Sequence, residues 1–205
     1  VLCEDESLGN ICNAPYGRIE EVMSGQLNEY NLYDSFGNLT EYRMHTAEEL
    51  LNSTDSSLHL IFDIRWEDRD GIYELVRKAK ALDRVSLRTK EGAKKITKWT
   101  SGLSEKINVI GVYDGNIIFN AISHVNTLSQ EGMTIVQYQS KNYYNVFYGS
   151  WVSDNFAADN KAIAIAPTYS PNLCGQRSDS ELGWDELIKK GFTAIETKNF
   201  NSIIF

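Results

Sequence analysis

From residue 58 onward the chain repeats one pattern, a short apolar run followed by a segment of helical character. The runs are LHLIFDI (58–64), RVSLRT (84–89), INVIGVY (107–113), MTIVQYQ (133–139), AIAIAPTY (162–169) and TAIETKNF (193–200). Their starts lie 23 to 31 residues apart, the length of one strand–helix unit. They do not alternate polar and apolar residues but are apolar nearly throughout. Strands covered on both faces, as in parallel sheets, read this way. A parallel strand can only be reached by a crossover of a dozen or more residues, usually a helix.

The intervening segments supply those helices. In RDGIYELVRKAKAL, Ile72, Leu75, Val76, Ala79 and Leu82 share one face at helical spacing, and Asp70 is placed to cap the start. In SELGWDELIKKGF, Leu187 and Ile188 are expected to face inward, two lysines occupy the last turn, and Gly191 stands where a helix ends. KEGAKKITKW and NIIFNAISHVNTL fit the same role less cleanly.

Repeated βα units fold either as an open doubly wound sheet or as a (β/α)8 barrel. Six units are visible in 205 residues, whereas a barrel needs eight over about 250. Residues 1–57 differ: a short strand, VLCED, then a loop with Gly, Asn and Pro, then HTAEELL. Thr46 and Glu49 of the last piece form a capping box for a short helix. This opening stretch reads as an inserted segment ahead of the regular units at 58–205, and no linker divides residues 1–205 into two domains.

Composition narrows the function classes. The net charge is −8 and the sequence pI about 4.9, which argues against a nucleic-acid surface built from clustered Lys and Arg. A small phosphate ester, held by a metal ion or one or two bases, stays open. The apolar runs are far shorter than the roughly 20 residues of a membrane-spanning helix. Three cysteines, Cys3, Cys12 and Cys174, form neither a zinc pattern nor a dense disulfide framework. They read as buried thiols, with a Cys3–Cys12 bridge as the alternative. Sequons at Asn38 and Asn52 matter only in a secreted chain. The compartment and oligomeric state stay open, with a secreted or periplasmic location set ahead of a cytoplasmic one.

Function in a βα barrel sits at the carboxyl ends of the strands. There the first regular strand carries Asp63 and, two residues on, Arg65, on one face if the strand continues. Two charges facing the helices would be buried at high cost, so that face points into the wet mouth. The pair is either a structural ion pair or a binding pair. Arg88, Asp114, Gln137 with Gln139, Tyr169 and Lys198 are further polar strand-end residues. Gln137 and Gln139 are candidate hydrogen-bond donors to a ligand. Trp66 and the aromatics at 143–148 could line a pocket, although aromatics more often fill cores. His45, His59 and His124 show no ligand spacing, and His59 reads as a satisfied core histidine.

Four blocks carry a resemblance. VLCEDESLGNICNAPYGRIEEV, HTAEELL, LIFDIR and CGQRSDSELGWDELIKKGFTAIETKNF resemble, in this order, four motif segments of the glycerophosphodiester phosphodiesterase family. The match spans essentially the whole chain. It implies a (β/α)8 TIM-type barrel with an excursion after its second strand. The implied activity is cleavage of glycerophosphodiesters, small molecules of lipid metabolism, to glycerol 3-phosphate and an alcohol. The implied cofactor is a divalent cation, Ca2+ or Mg2+, held by carboxylates.

Carried over residue by residue, the family's metal-binding Glu falls on Asp63, a carboxylate one methylene shorter. Its Lys falls on Arg65, which keeps the charge but presents a fork. Its HD pair falls on Glu4 and Asp5, so that Glu4 stands where a proton-transferring histidine is expected. The Asp of the closing TD pair is Lys198. The family's opening HRG and its ExD metal pair are expected upstream of residue 1. The chain is thus read as an N-terminally truncated, divergent member whose first strands are missing. A non-catalytic barrel that binds a phosphate ester or a protein is the alternative reading.

Overall fold

The apolar runs become a single parallel sheet. The structure, a computed structural model, describes residues 7–14, 17–18, 22, 24–34, 36–114, 127–128, 130–139, 163–167, 179–189 and 192–197, leaving the side chains of 24, 114, 138–139 and 163–167 outside. The chain forms two compact units, residues 1–58 with 74–81 and residues 59–73 with 82–205.

In the first unit, β1 (Asn31–Tyr33) and β2 (Leu39–Arg43) make an antiparallel hairpin. Its turn is built on Asp34, whose Oδ1 accepts the backbone N–H groups of Phe36 and Asn38, both at 2.9 Å. Gly37 sits at φ +82°, a left-handed conformation that a side chain would strain. A short helix α1 (Ser24–Leu27) precedes the hairpin, and α2 (Ala47–Ser53) follows it. The expected capping box of α2 is present: Thr46 Oγ1 accepts the Glu49 N–H at 3.1 Å, and Glu49 Oε2 accepts the Thr46 N–H at 2.8 Å. The core of this unit gathers Leu8, Cys12, Val22, Leu27 and Met44. Cys12 is a free, buried thiol, so the alternative of a Cys3–Cys12 bridge is not realised.

In the second unit, six strands pair in sequence order: β3 (Leu60–Asp63), β4 (Val85–Thr89), β5 (Asn108–Asp114), β6 (Ile135–Gln139), β7 (Ile163–Pro167) and β8 (Ala194–Glu196). Every neighbouring pair is parallel. A doubly wound sheet reverses its strand order at a switch point, and this sheet has no such reversal among the described residues. Val85, Ser86 and Leu87 of β4 are all buried, so both faces of this strand are covered, whereas Ile61 of β3 is 48% exposed.

The helices show where periodicity misjudges ends. Helix α3 (Arg69–Lys78) starts one residue before Asp70, so Asp70 lies in its first turn and accepts the Trp99 indole N–H at 2.7 Å. It ends before Leu82 because Lys80 turns left-handed at φ 55°. The N–H of Lys80 then reaches the Arg77 carbonyl at 3.0 Å, and that of Ala81 the Val76 carbonyl at 3.1 Å. This is the paired bonding of a Schellman end, with Lys80 where glycine usually stands. Helix α4 (Ala93–Thr100) buries Ala93 and Ile96. In α5 (Glu181–Lys189), Leu187 is buried as expected, but Ile188 is 58% exposed. One residue of rotation is 100° on a helix, enough to carry Ile188 off the inward stripe.

Candidate active site at the carboxyl ends of the strands

Strand β3 stops at Asp63, two residues short of Arg65. The Ile64 N–H still bonds the Arg88 carbonyl at 2.9 Å, and the chain then turns into a 3-10 turn at Trp66–Asp68 with Arg65 at its N-cap. Arg65 is therefore not on the strand face of Asp63. Its Nε donates to Asp68 Oδ2 at 2.9 Å, and Glu67 Oε1 lies 3.8 Å away. The short stretch IRWED supplies local acids that hold Arg65 near the turn.

The base that meets Asp63 comes from the next strand. The parallel register sets Asp63 beside Arg88, whose Nη2 donates to Asp63 Oδ2 at 2.8 Å. Its Nη1 donates to Glu196 Oε1, on β8, at 3.0 Å. The other oxygen of Glu196 accepts the Gln137 amide N–H from β6 at 2.8 Å. Four strands thus contribute one residue each to a continuous polar chain, Asp63–Arg88–Glu196–Gln137, near their carboxyl ends. Gln137 is 1% exposed, whereas the Asp63 side chain is 65% exposed. The chain runs from a buried amide to a wet carboxylate.

Burial works against the charged guanidinium of Arg88. Its hydrogen bonds to Asp63 and Glu196, with their negative charges, more than offset this and raise its pKa. Arg88 is a permanent cation between two carboxylates. Below it, Ser86 lies two residues earlier on the same strand face, and its hydroxyl bonds His59 Nε2 at 2.8 Å. His59 is hydrogen-bonded as expected, although it lies on the surface rather than in the core.

The Arg88–Glu196 bond fixes the shape of the sheet. Strands β4 and β8 are four steps apart, about 19 Å if the sheet were flat at roughly 4.8 Å per step. Two side chains cannot bridge that span, so their 3.0 Å contact requires a rolled sheet with these residues on its concave side. The carboxyl ends then face a common mouth, where barrel enzymes carry their chemistry.

Other sequence-singled residues fall elsewhere. Glu4, Asp5, Tyr169, Lys198, His124 and the aromatics at 143–148 lie outside the described residues, as do the side chains of Asp114 and Gln139. The backbones of Asp114 and Gln139 pair across β5 and β6. Trp66 packs edge-on against Trp99 with centroids 5.7 Å apart, and the Arg69 guanidinium covers its ring at 4.8 Å. It is part of an aromatic cluster. Glu196 was not singled out: ETK ends a short run and resembles a solvated strand end. Only its partner four strands away gives it meaning, and no local pattern carries that.

Solved structures share this architecture. The chain superposes on a glycerophosphoryl diester phosphodiesterase of Parabacteroides distasonis with a TM-score of 0.70 at 17% identity, covering 96% of this chain and 66% of that one. The fold is that of the glycerophosphodiester phosphodiesterases. It is a TIM-barrel-like α/β fold. A glycerophosphodiester phosphodiesterase of Agrobacterium tumefaciens gives a TM-score of 0.61 at 10% identity, over 95% of this chain and 76% of that one. A second phosphodiesterase of Parabacteroides distasonis gives 0.59 at 16%, over 91% and 71%. The chain thus spans about two thirds to three quarters of these proteins. No protein-family model matches the chain, and no curated protein matches it in sequence. No helix among the described residues is long and apolar enough to cross a membrane.

The divalent cation implied by the family resemblance needs several hard oxygen ligands. Among the described residues no group of three or more His, Cys, Asp or Glu is gathered to hold one. Arg88 already engages Asp63 Oδ2, and both oxygens of Glu196 have partners. The described residues do not fit Ca2+ or Mg2+.

Proposed function

We propose that the chain is a phosphoric diester hydrolase that cleaves glycerophosphodiesters to glycerol 3-phosphate and an alcohol. The observation that carries this reading is the rolled parallel sheet with a polar chain at its carboxyl ends, on a fold shared with phosphodiesterases of that class. In this reading Glu4 and Asp5 are the proposed acid–base residues.

Arg65 is the group proposed to receive the substrate phosphate. Its ion pairs with Asp68 and Glu67 are water-exposed, and such pairs are worth about 0–1 kcal/mol. A phosphate can displace them, and a guanidinium fork suits its oxygens. Arg88 suits that task less well, because two carboxylates already share it. Gln137 orients Glu196 in this reading, and Gln139 remains a proposed donor to the ligand.

The second reading is a non-catalytic barrel that binds a phosphate ester or a protein partner. It is favoured by the pairing of Asp63 with Arg88 instead of with further carboxylates. Incubating the full-length protein with glycerophosphocholine and other glycerophosphodiesters, with and without Ca2+ or Mg2+, separates the two. Release of glycerol 3-phosphate, slowed at least about tenfold by Arg65→Ala, is expected for the hydrolase. Saturable binding without release from any of these diesters would leave the binding module.

A further inference from the structure

At the mouth, two acids from the first and last strands of the described sheet converge on one base. Asp63 Oδ2 and Glu196 Oε1 each lie within 3.0 Å of a different nitrogen of Arg88. Like charges this close repel unless a cation lies between them. Oxygens converging from separated strands on one positive centre are also what a hard divalent ion demands. Gln137 fixes the second oxygen of Glu196 and so turns the first toward Arg88.

We propose that the Arg88 guanidinium is a built-in substitute for a divalent cation, occupying the position between Asp63 and Glu196 and excluding Ca2+ and Mg2+ from it. The charge is covalently part of β4, so no chelator removes it and no metal supply limits it. The trio keeps one net negative charge, which suits a counter-ion lock between strands better than a phosphate anchor. This goes beyond both functional readings, since it concerns which cation sits at the mouth whatever the ligand.

The exclusion follows from space and charge together. A metal ion can enter only if Arg88 swings away, and that would leave a mostly buried guanidinium without either carboxylate. Replacing the guanidinium with a neutral side chain that can still hydrogen-bond should therefore create a metal site. Two carboxylates and neighbouring amide oxygens are a weak ligand set, with a Kd on the order of 1 mM.

The test is calorimetric titration of the full-length protein with CaCl2 and with MgCl2. In the wild type, Asp63→Asn is expected to leave whatever binding exists unchanged. Arg88→Gln is expected to gain a millimolar Ca2+ site that Asp63→Asn, added to it, removes. Wild-type binding that Asp63→Asn abolishes would overturn the proposal, as would a folded Arg88→Gln protein with no new site. If Arg88→Gln does not fold, the comparison of wild type with Asp63→Asn decides alone. The exposed Asp63 makes that variant a safe one to fold.

Discussion

Arg88 has two acidic partners that are not equivalent. The Asp63 side chain is mostly in water, so its bond to Arg88 is screened by solvent. Glu196 and Arg88 are both largely shielded, and Glu196 has a second bond from Gln137. Asp63→Asn is expected to lower stability by less than about 1 kcal/mol in urea denaturation. A loss of several kcal/mol would mean that Asp63 is far less solvated than its exposure indicates. Asp63 was legible in the sequence as a charge too expensive to bury outside a mouth. Its partner was not, because Arg65 is nearer in the chain while Arg88 is nearer in register. Alternation along a strand holds only while the strand lasts, and β3 ends at Asp63.

The elements show the same division between existence and ends. The apolar runs at 60–63 and 85–89 and the helix at 69–78 formed where periodicity placed them, but the helix buries Tyr73 and Val76, while Ile72, Leu75 and Ala79 are half-buried. Their ends depend on single backbone conformations. Helix α3 stops at Lys80, a residue that gives no stop signal. Lys80→Gly is expected to stabilise the protein by about 1 kcal/mol, since glycine adopts positive φ without steric penalty. A lower thermal midpoint for that variant would contradict this account of the helix end.

At α2 the start signal was readable, because Thr46 and Glu49 stand three apart with reciprocal bonds. Thr46→Ala is expected to cost about 1 kcal/mol, measured by chemical denaturation. The backbone and hydroxyl bonds from Thr46 hold the Glu49 carboxyl below its ordinary value of 4.5. A carboxylate with a depressed folded-state pKa contributes stability above its unfolded value and loses it as pH falls through the folded one. The cost of Thr46→Ala should therefore shrink as the pH falls below about 4.5. A cost that does not change with pH would show that the Thr46 hydroxyl bond to the Glu49 carboxylate contributes no stability.

At the scale of the molecule, six sequential parallel strands roll until β4 and β8 share a hydrogen bond. The repeat of βα units announced the sheet, and the family resemblance anticipated the fold. The rolling itself is not local information, because it comes from twist accumulated across every strand pair. The functional reading depends on it, since a flat sheet would scatter Asp63, Arg88, Gln137 and Glu196 along an edge. A double-mutant cycle of Arg88→Gln and Glu196→Gln, followed by urea denaturation, reads this contact directly. The expected coupling between the two sites is about 1–3 kcal/mol, as for residues sharing one polar network. Additive effects, with coupling below roughly 0.3 kcal/mol, would contradict the rolled sheet and the shared mouth built on it.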